Sequence, residues 1–475
     1  MNRGPEMAGG NQEGGPYGDA SRGDASAGQE RGRGGRAPYR DTVGRLRERA
    51  ARLAGAPPPG PFRADFWRSP IRGPWLTAVF GLVLLVGIII VFVTGLLSYA
   101  AYNPRLGRLN DPTPERGILG FYLFTWPTHP YWLYRLTQGV HVTLGLVLVP
   151  VLLAKLWSVI PRLFTWPPAR KPAQAVERLT LILLVGGALF EFATGILDIQ
   201  LHYIFPGSFY PLHFYGAWVF IAAFVAHVAL RLGRMWRALR SRRLSTVLRT
   251  DTAHTEPEAA DAAGLVAAAP AAPTMSRRGA LALTGAGSLA LLAVTAGQSI
   301  GGAWRHTALL APHGRNPGGG PNGFQVNKTA AFVGITAADI GPGWRLRLHG
   351  PAGTRTFTRG DLLAMPQHRA ALPIACVEGW STDDQHWSGL RLADLAALAG
   401  LPGAGSVLVE SVQRGGAFSR VLLAGNQIRN PLSLLALHVN GADLSADHGF
   451  PARVIVPANP GVNNTKWVGS LTFRT

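Results

Sequence analysis

The sequence predicts two unlike folds in one chain: an all-α four-helix transmembrane bundle followed by a fifth membrane or export segment, and then a mixed α+β domain. Three observations predict this. Four long stretches, 75–98, 133–154, 179–203 and 210–230, are uncharged or nearly so. From residue 320 onward the apolar residues alternate or fall in short runs broken by glycine and proline, as in strands and short helices. Only 15% of the 475 residues are charged, and the mean hydropathy is positive, which is unusual for a soluble protein.

Residues 1–60 are rich in Gly, Arg, Ala, Ser and Pro, with almost no large apolar side chain before Leu46, and are expected to be a disordered arm. Residues 61–249 hold the four stretches, each long enough for a helix to cross about 30 Å of hydrocarbon at about 1.5 Å per residue. The third stretch carries Glu191 and Asp198. A linker rich in Ala, Pro, Asp and Glu follows over 250–274. The segment 275–304 has no charge between Arg278 and Arg305, but its Gly, Ala and Thr content makes it the weakest span. Beyond it, 344–348, 370–376, 407–412 and 453–456 read as strands. The stretches 359–365 and 392–400 read as short helices, ended by Pro366 and Gly400.

A formal net charge of +20 raises the question of nucleic acid. The arginines are not interleaved with aromatics on one stripe, so no nucleic-acid partner is expected. They flank the apolar stretches, which points to membrane lipid. The stretches 62–74, 155–178 and 231–249 carry fifteen Lys and Arg, from Arg63 to Arg249, whereas 99–130 and 199–210 carry only Arg105, Arg108 and Arg116. The positive-inside rule therefore puts the N-terminus in the cytoplasm, and five crossings put 305–475 outside.

The bundle contains an internal repeat. LVLLVG at 82–87 precedes Thr94-Gly95, and LILLVG at 181–186 precedes Thr194-Gly195. The stretch after the first carries His141; the stretch after the second carries His213 and, fourteen residues on, His227. Histidine in a bilayer is costly and faces the bundle interior. Two facing imidazoles suit a six-coordinate haem iron built for electron transfer. His213 and His227 are separated by about 21 Å along a helix, the interval that stacks two haems across a membrane. This part resembles the cytochrome b subunits of formate dehydrogenases and hydrogenases, which implies haem b, in one or two copies, and a quinone or quinol partner. In that family the first helix supplies a histidine for the inner haem; 62–98 contains none, and His129 could serve only an outer site. One outer haem on His141 and His213 is therefore the better supported, with His227 the candidate ligand of a second.

Cys376 is the only cysteine, so it cannot form an internal disulfide or a Cys-x-x-Cys metal site. It lies in IACVEGWS, residues 374–381, where glycine and polar groups directly after an expected strand suit a turn at a pocket. Downstream, DHGFPARVIVPANPGVNNTK at 447–466 is followed by Trp467. Together these segments resemble the sulfite-oxidase superfamily of molybdopterin enzymes over roughly 322–475. The resemblance implies that Cys376 ligates molybdenum, a soft centre suited to a thiolate, and that His448, Arg453 and Lys466 bind the pterin and its phosphate. Asn327, in QVNKTA at 325–330, matches a further cofactor contact. The chain ends nine residues after Lys466, before the substrate-contacting tyrosine and dimerisation domain of sulfite oxidases proper. The nearer likeness is to the methionine sulfoxide reductases of the superfamily, which draw electrons from a separate haem membrane protein.

TMSRRGAL at 274–281 resembles a twin-arginine export signal, and Val294-Thr295-Ala296 loosely matches a cleavage site. In this superfamily molybdopterin is inserted in the cytoplasm, so a domain carrying it must cross already folded. The expected protein is thus a multi-pass bacterial membrane oxidoreductase exchanging electrons between an outer oxo-transfer site and quinone through haem b. Its small substrate is expected to be an S- or N-oxide that is reduced, or alternatively an anion such as sulfite that is oxidised. A different class is a haem electron carrier whose outer domain only binds.

Overall fold

Five helices carry the apolar stretches. The computed structural model describes residues 56–102, 123–168, 172–200, 204–205, 209–260, 264–311, 318–414 and 418–475. The arm expected over 1–60 lies outside them except for its last five residues, and the loop arginines Arg105, Arg108 and Arg116 lie outside them altogether. Helix α1 spans Pro74–Tyr102, α2 Leu133–Leu163, α3 Pro172–Asp198, α4 Tyr210–Arg240 and α5 Arg277–Thr295. All five are long and apolar enough to cross a membrane, α5 with the turn that extends it to Ile300. Proline opens or nearly opens α1, α3 and α4, where its missing N–H costs nothing and its fixed φ suits the first turn. Ser276 caps α5, its Oγ accepting from Gly279 N at 3.1 Å.

The helices pack α1 on α2 and α3 on α4, with α1 also against α4 and α2 against α5. Leu76, Phe80, Leu84 and Ile88 of α1 meet Leu148, Val151 and Leu152 of α2, with Phe220 and Phe224 of α4 closing the core. The fifth segment packs on α2, so the helical part has five long apolar helices, one more than the four-helix bundle expected. Pro150 removes the backbone donor that would reach Leu146 O inside α2, and Ser288 of α5 donates to the adjacent Val147 O at 2.8 Å. The linker does not stand free of the bundle among its described residues. Arg277 is buried, donating to Glu256 O (2.9 Å) and Pro70 O (3.2 Å) and pairing with Glu258 at 3.5 Å.

The C-terminal part is two five-stranded sheets. The first has the order β2-β1-β10-β5-β6, from β1 (Leu346–Gly350), β2 (Gly353–Phe357), β5 (Ser406–Ser411), β6 (Arg420–Ala424) and β10 (Val468–Arg474). In it only β1 and β10 run parallel. The second has the order β3-β4-β7-β8, with β9 also on β7, from β3 (His368–Leu372), β4 (Gln385–Arg391), β7 (Leu434–Val439), β8 (Ala442–Asp443) and β9 (Arg453–Ile455). Leu346, Leu348, Val407, Val409 and Leu471 of the first sheet bury against Leu390, Leu435, Leu437 and Val454 of the second. The opposite face of the second sheet has its own core, with Phe324, Leu372, Trp387, Leu434, Ala436 and Ile455. Covered on both faces, β7 reads LLALHV, a run without alternation. The helices Arg359–Ala364 and Leu392–Leu398 fall within the stretches expected, and Gly400 follows the second with φ +80°.

The sheet domain is seated on one end of the bundle. Asn463 Nδ2 donates to Ala101 O of α1 at 3.0 Å, and Trp126 Nε1 to Ala458 O at 2.7 Å. Asn430 Nδ2 lies 3.1 Å from His129 Nε2, which gives that histidine a place in the seam between helices and sheets.

Candidate functional site

Cys376 does not lie in a strand. β3 stops at Leu372, and Ala375 forms single bridges to Ser381 and Pro460, which leaves Cys376 at the head of a tight turn. Gly379 N donates to Cys376 O (3.1 Å) and Cys376 N to Trp380 O (2.8 Å), while Gly461 N holds Ala375 O from the other side (2.6 Å). Gly379 has φ +91°, and a Cβ there would stand 2.7 Å from Val142 of α2. Glycine is required twice, for the backbone conformation and for the close approach to the helix.

The thiol is buried. Asn327 Nδ2 donates to Sγ at 3.3 Å, and Glu378 Oε2 lies 3.5 Å away, itself held by Trp380 Nε1 at 2.6 Å. Burial pushes the Cys376 thiol well above the ordinary range, and the Glu378 carboxylate pushes the same way. A metal that binds here displaces a proton from sulfur. Asn327 therefore stands beside the thiol. Its neighbour Lys328 is within electrostatic reach of Cys376 and Glu378, with its Nζ over the rings of Phe332 and Phe418.

A second cluster adjoins the first. His448 stacks on Phe324 at 3.7 Å, and its Nδ1 meets Ser445 Oγ and Asn322 Oδ1, both at 3.2 Å. Burial first, and then Arg453, push its pKa down to about 3, so it is neutral at pH 7. Arg453 is buried over the Trp387 ring, donating from Nη1 to His448 O at 3.3 Å, while its Nε has no partner among the described residues. Lys466 donates to Lys328 O and Asp447 O, both at 2.7 Å, and burial pushes its pKa well down. Gly449 has φ +106° and a Cβ there would meet Lys466 at 2.9 Å, so the loop holding His448 lies directly on that lysine.

A buried arginine with an unused donor, a half-buried lysine and a neutral histidine form a donor-rich cluster suited to an anionic phosphate. The lone soft sulfur beside them suits molybdenum. The residues present therefore fit a molybdopterin. Cys376 would hold the metal, and His448, Arg453 and Lys466 the pterin and phosphate, with Asn327 between the two groups. Sequence reading passed over Lys328 and did not give Glu378 a role. Both sit inside the segments that flagged Asn327 and Cys376, where a charged residue next to a ligand was the available signal.

The histidines of the bundle form a separate site. The rings of His141 and His213 are 6.2 Å apart at 81°. Two imidazoles bound to one metal through nitrogens about 2 Å from it have centres roughly 6 Å apart. His141 Nδ1 lies 3.0 Å from Val91 O and 3.3 Å from Thr94 Oγ1. His213 Nδ1 lies 3.1 Å from Thr194 Oγ1 and 3.2 Å from the Glu191 carboxylate. Each ring is oriented through Nδ1 by the preceding helix, which leaves Nε2 for a metal. Gly95 and Gly195 lie against the rings, where a Cβ would stand 3.0 and 3.1 Å from the two Cε1 atoms.

His227 is placed differently. The repeat sets Lys155 against it, and Lys155 and Arg162 are charged neighbours within reach. Lys155 Nζ donates to Thr77 O at 2.7 Å, as His141 does to Val91 O fourteen residues on along α1 and fourteen residues back along α2. The second position of the repeat thus pairs a histidine with a lysine.

Residues 334–475 match the model of the oxidoreductase molybdopterin binding domain. A Bacillus subtilis (strain 168) protein, the uncharacterized oxidoreductase YuiH, is 29% identical over 131 residues, 27% of this chain and 65% of its own. Sulfite oxidase of Arabidopsis thaliana is 38% identical over 144 residues, 23% of this chain and 36% of its own. The chain thus spans less than two thirds of the length of these relatives. Among solved structures, the sulfane dehydrogenase SoxCD from Paracoccus pantotrophus matches with a TM-score of 0.26 at 23% identity, over 28% of this chain and 38% of its own. The matched segment contains Cys376, His448, Arg453 and Lys466, and the C-terminal part of this chain is accordingly a sulfite-oxidase-type, molybdopterin-binding oxidoreductase domain.

Proposed function

We propose that the chain is a membrane oxidoreductase that passes electrons between an oxygen-atom-transfer site at Cys376 and quinol through one haem b held by His141 and His213. One observation carries this reading: the Cys376 turn rests on α2, the helix that carries His141. When bound, molybdenum supplies oxygen-atom exchange, and the haem supplies single-electron passage. The protein holds and orients both.

Reduction of a sulfoxide balances as sulfoxide plus quinol giving sulfide, water and quinone. The S=O bond breaks, and the two protons released by quinol form the water. Glu378 places a carboxylate beside the thiol. This carboxylate disfavours an anionic substrate, which supports a neutral S- or N-oxide. Oxidation of sulfite is the second reading, supported by the sulfite oxidase relatives and by Lys328, a cation within electrostatic reach of Glu378.

A haem spectrum separates them. Dimethyl sulfoxide or trimethylamine N-oxide added to the dithionite-reduced, desalted protein is expected to reoxidise the haem band, and sulfite added to the oxidised protein to leave it unchanged. Sulfite-driven haem reduction would reverse the direction; a protein with haem but no molybdenum would return it to a haem electron carrier whose outer domain only binds.

The loop charges support a cytoplasmic N-terminus and an outer sheet domain in a bacterial membrane, with export through Arg277-Arg278 after folding. Arg277→Lys with Arg278→Lys keeps the charge and is expected to leave the sheet domain inaccessible to protease from outside spheroplasts. Full accessibility would make the pair a simple helix flank, the role already visible in the bonds of Arg277 to Pro70 and Glu256.

A further inference from the structure

The contact between the Cys376 turn and the helices is built from backbone carbonyls of the turn. Gln138 of α2 donates from Nε2 to Val377 O, and Ser299, just past α5, donates from Oγ to Gly379 O. Ser381 N returns a bond to Gln298 O at 3.0 Å. Gln138 is buried, so its amide is a polar group retained against a desolvation cost. Val377 follows Cys376 directly. Gln138 precedes His141 by three residues, less than one helical turn of about 5.4 Å pitch, and Val142, next to His141, touches Gly379. The covalent and hydrogen-bonded route from sulfur to imidazole thus runs from Cys376 to the Val377 carbonyl, across one hydrogen bond to Gln138, and along less than one turn of α2.

We propose that Gln138 is the positioning residue that couples the two redox sites: its amide clamps the thiolate turn onto α2 and forms the bridge in a short bonded path between Cys376 and His141. This rests on the reading of Cys376 and His141 as ligands. Electrons pass along it singly, in either direction, so two passages match one two-electron oxygen-atom transfer. The sheet domain then needs no separate docking partner, because its acceptor is held in the same chain. Ser299 is a second clamp and lies off this path.

Gln138→Met keeps the side-chain length and removes the donor. Trp126→Phe removes a different seam bond, the one to Ala458 O, and serves as the off-path control. Two measurements on the full chain in nanodiscs test the proposal. In the first, a flash-generated deazaflavin radical reduces the haem, and its partial reoxidation reports equilibration with the molybdenum site. Gln138→Met is expected to slow this phase by about tenfold or more, as a misplaced donor–acceptor geometry does, with haem spectrum and molybdenum content unchanged. Trp126→Phe is expected to keep the wild-type rate.

The second measurement needs no cofactor. Cys376 is the only thiol, so maleimide labelling of cofactor-free protein at fixed pH reports how firmly the turn is held. Gln138→Met is expected to label several-fold faster than wild type, and equally fast in denaturant. An unchanged electron-transfer rate in Gln138→Met, or equal slowing in both variants, overturns the role given to Gln138. Wild-type protein lacking the haem or molybdenum signal overturns the reading beneath it, and the labelling result then still shows whether the clamp exists. Unchanged labelling overturns the clamp.

Discussion

Replacing Cys376 by alanine is expected to abolish oxygen-atom transfer while leaving the haem absorbance intact. Sγ is the one soft ligand in the site, flanked by the Asn327 amide and the Glu378 carboxylate. Neither neighbour can replace it, because both present nitrogen or oxygen to a metal that prefers sulfur. Changing an outer partner of a metal ligand costs about 10–100-fold, so removing the ligand itself should exceed that and bring turnover to background. Cys376→Ser should fail in the same way, since a hydroxyl is a hard donor. Asn327→Ala, which removes a single hydrogen bond to sulfur, should fall in that intermediate range. The fold should survive, because the turn is held by backbone bonds from Trp380, Gly379 and Gly461. Turnover is measured with the dithionite-reduced protein, and molybdenum and haem contents are measured on the same samples. Wild-type turnover with alanine at 376 would show that the metal is held elsewhere.

Much of this was legible because it is written in local pattern. Uncharged stretches of helical length, arginine flanks, and the His448-to-Arg453 and Arg453-to-Lys466 intervals survive without knowledge of the fold. What the sequence hid was long-range. Nothing local shows that Gln138 meets Val377, 239 residues away, or that Asn327 meets Cys376 across 49. The strand expected to run through Cys376 stops at Leu372, since Pro373 cannot supply a ladder N–H and the following residues are bonded as a turn. The 82–87 and 181–186 runs suggested a repeat, yet they precede Thr94 and Thr194 by seven and eight residues. One residue out of step is about 100° around a helix, so the correspondence that matters is the Thr-Gly pair against each histidine, and the apolar runs are the looser match. Glu191 was visible as a carboxylate in an apolar stretch, but its partner His213 was not assigned to it. A charged group in such a stretch implies a partner without naming it.

His141→Ala and His213→Ala are each expected to remove the same low-spin haem signal, and His227→Ala to spare it. Both rings are oriented through Nδ1, His141 by Thr94 and Val91, His213 by Thr194 and Glu191, so in the proposed haem site each would offer Nε2 to one iron and neither could compensate for the other. Removing either leaves a five-coordinate centre or none, and the reduced-minus-oxidised spectrum of the purified membrane protein reads this directly. The outer partners should act more gently. Thr94→Val and Thr194→Val should retain haem with a shifted midpoint potential, because they alter the hydrogen bonding of a ligand and not its identity. His227 stands beside Lys155, whose ammonium is bonded to Thr77 O and offers no neutral nitrogen to a metal while it is charged. A result in which His227→Ala and His141→Ala lose the signal together, with His213→Ala unaffected, would overturn the pairing and move the haem to the other end of α4.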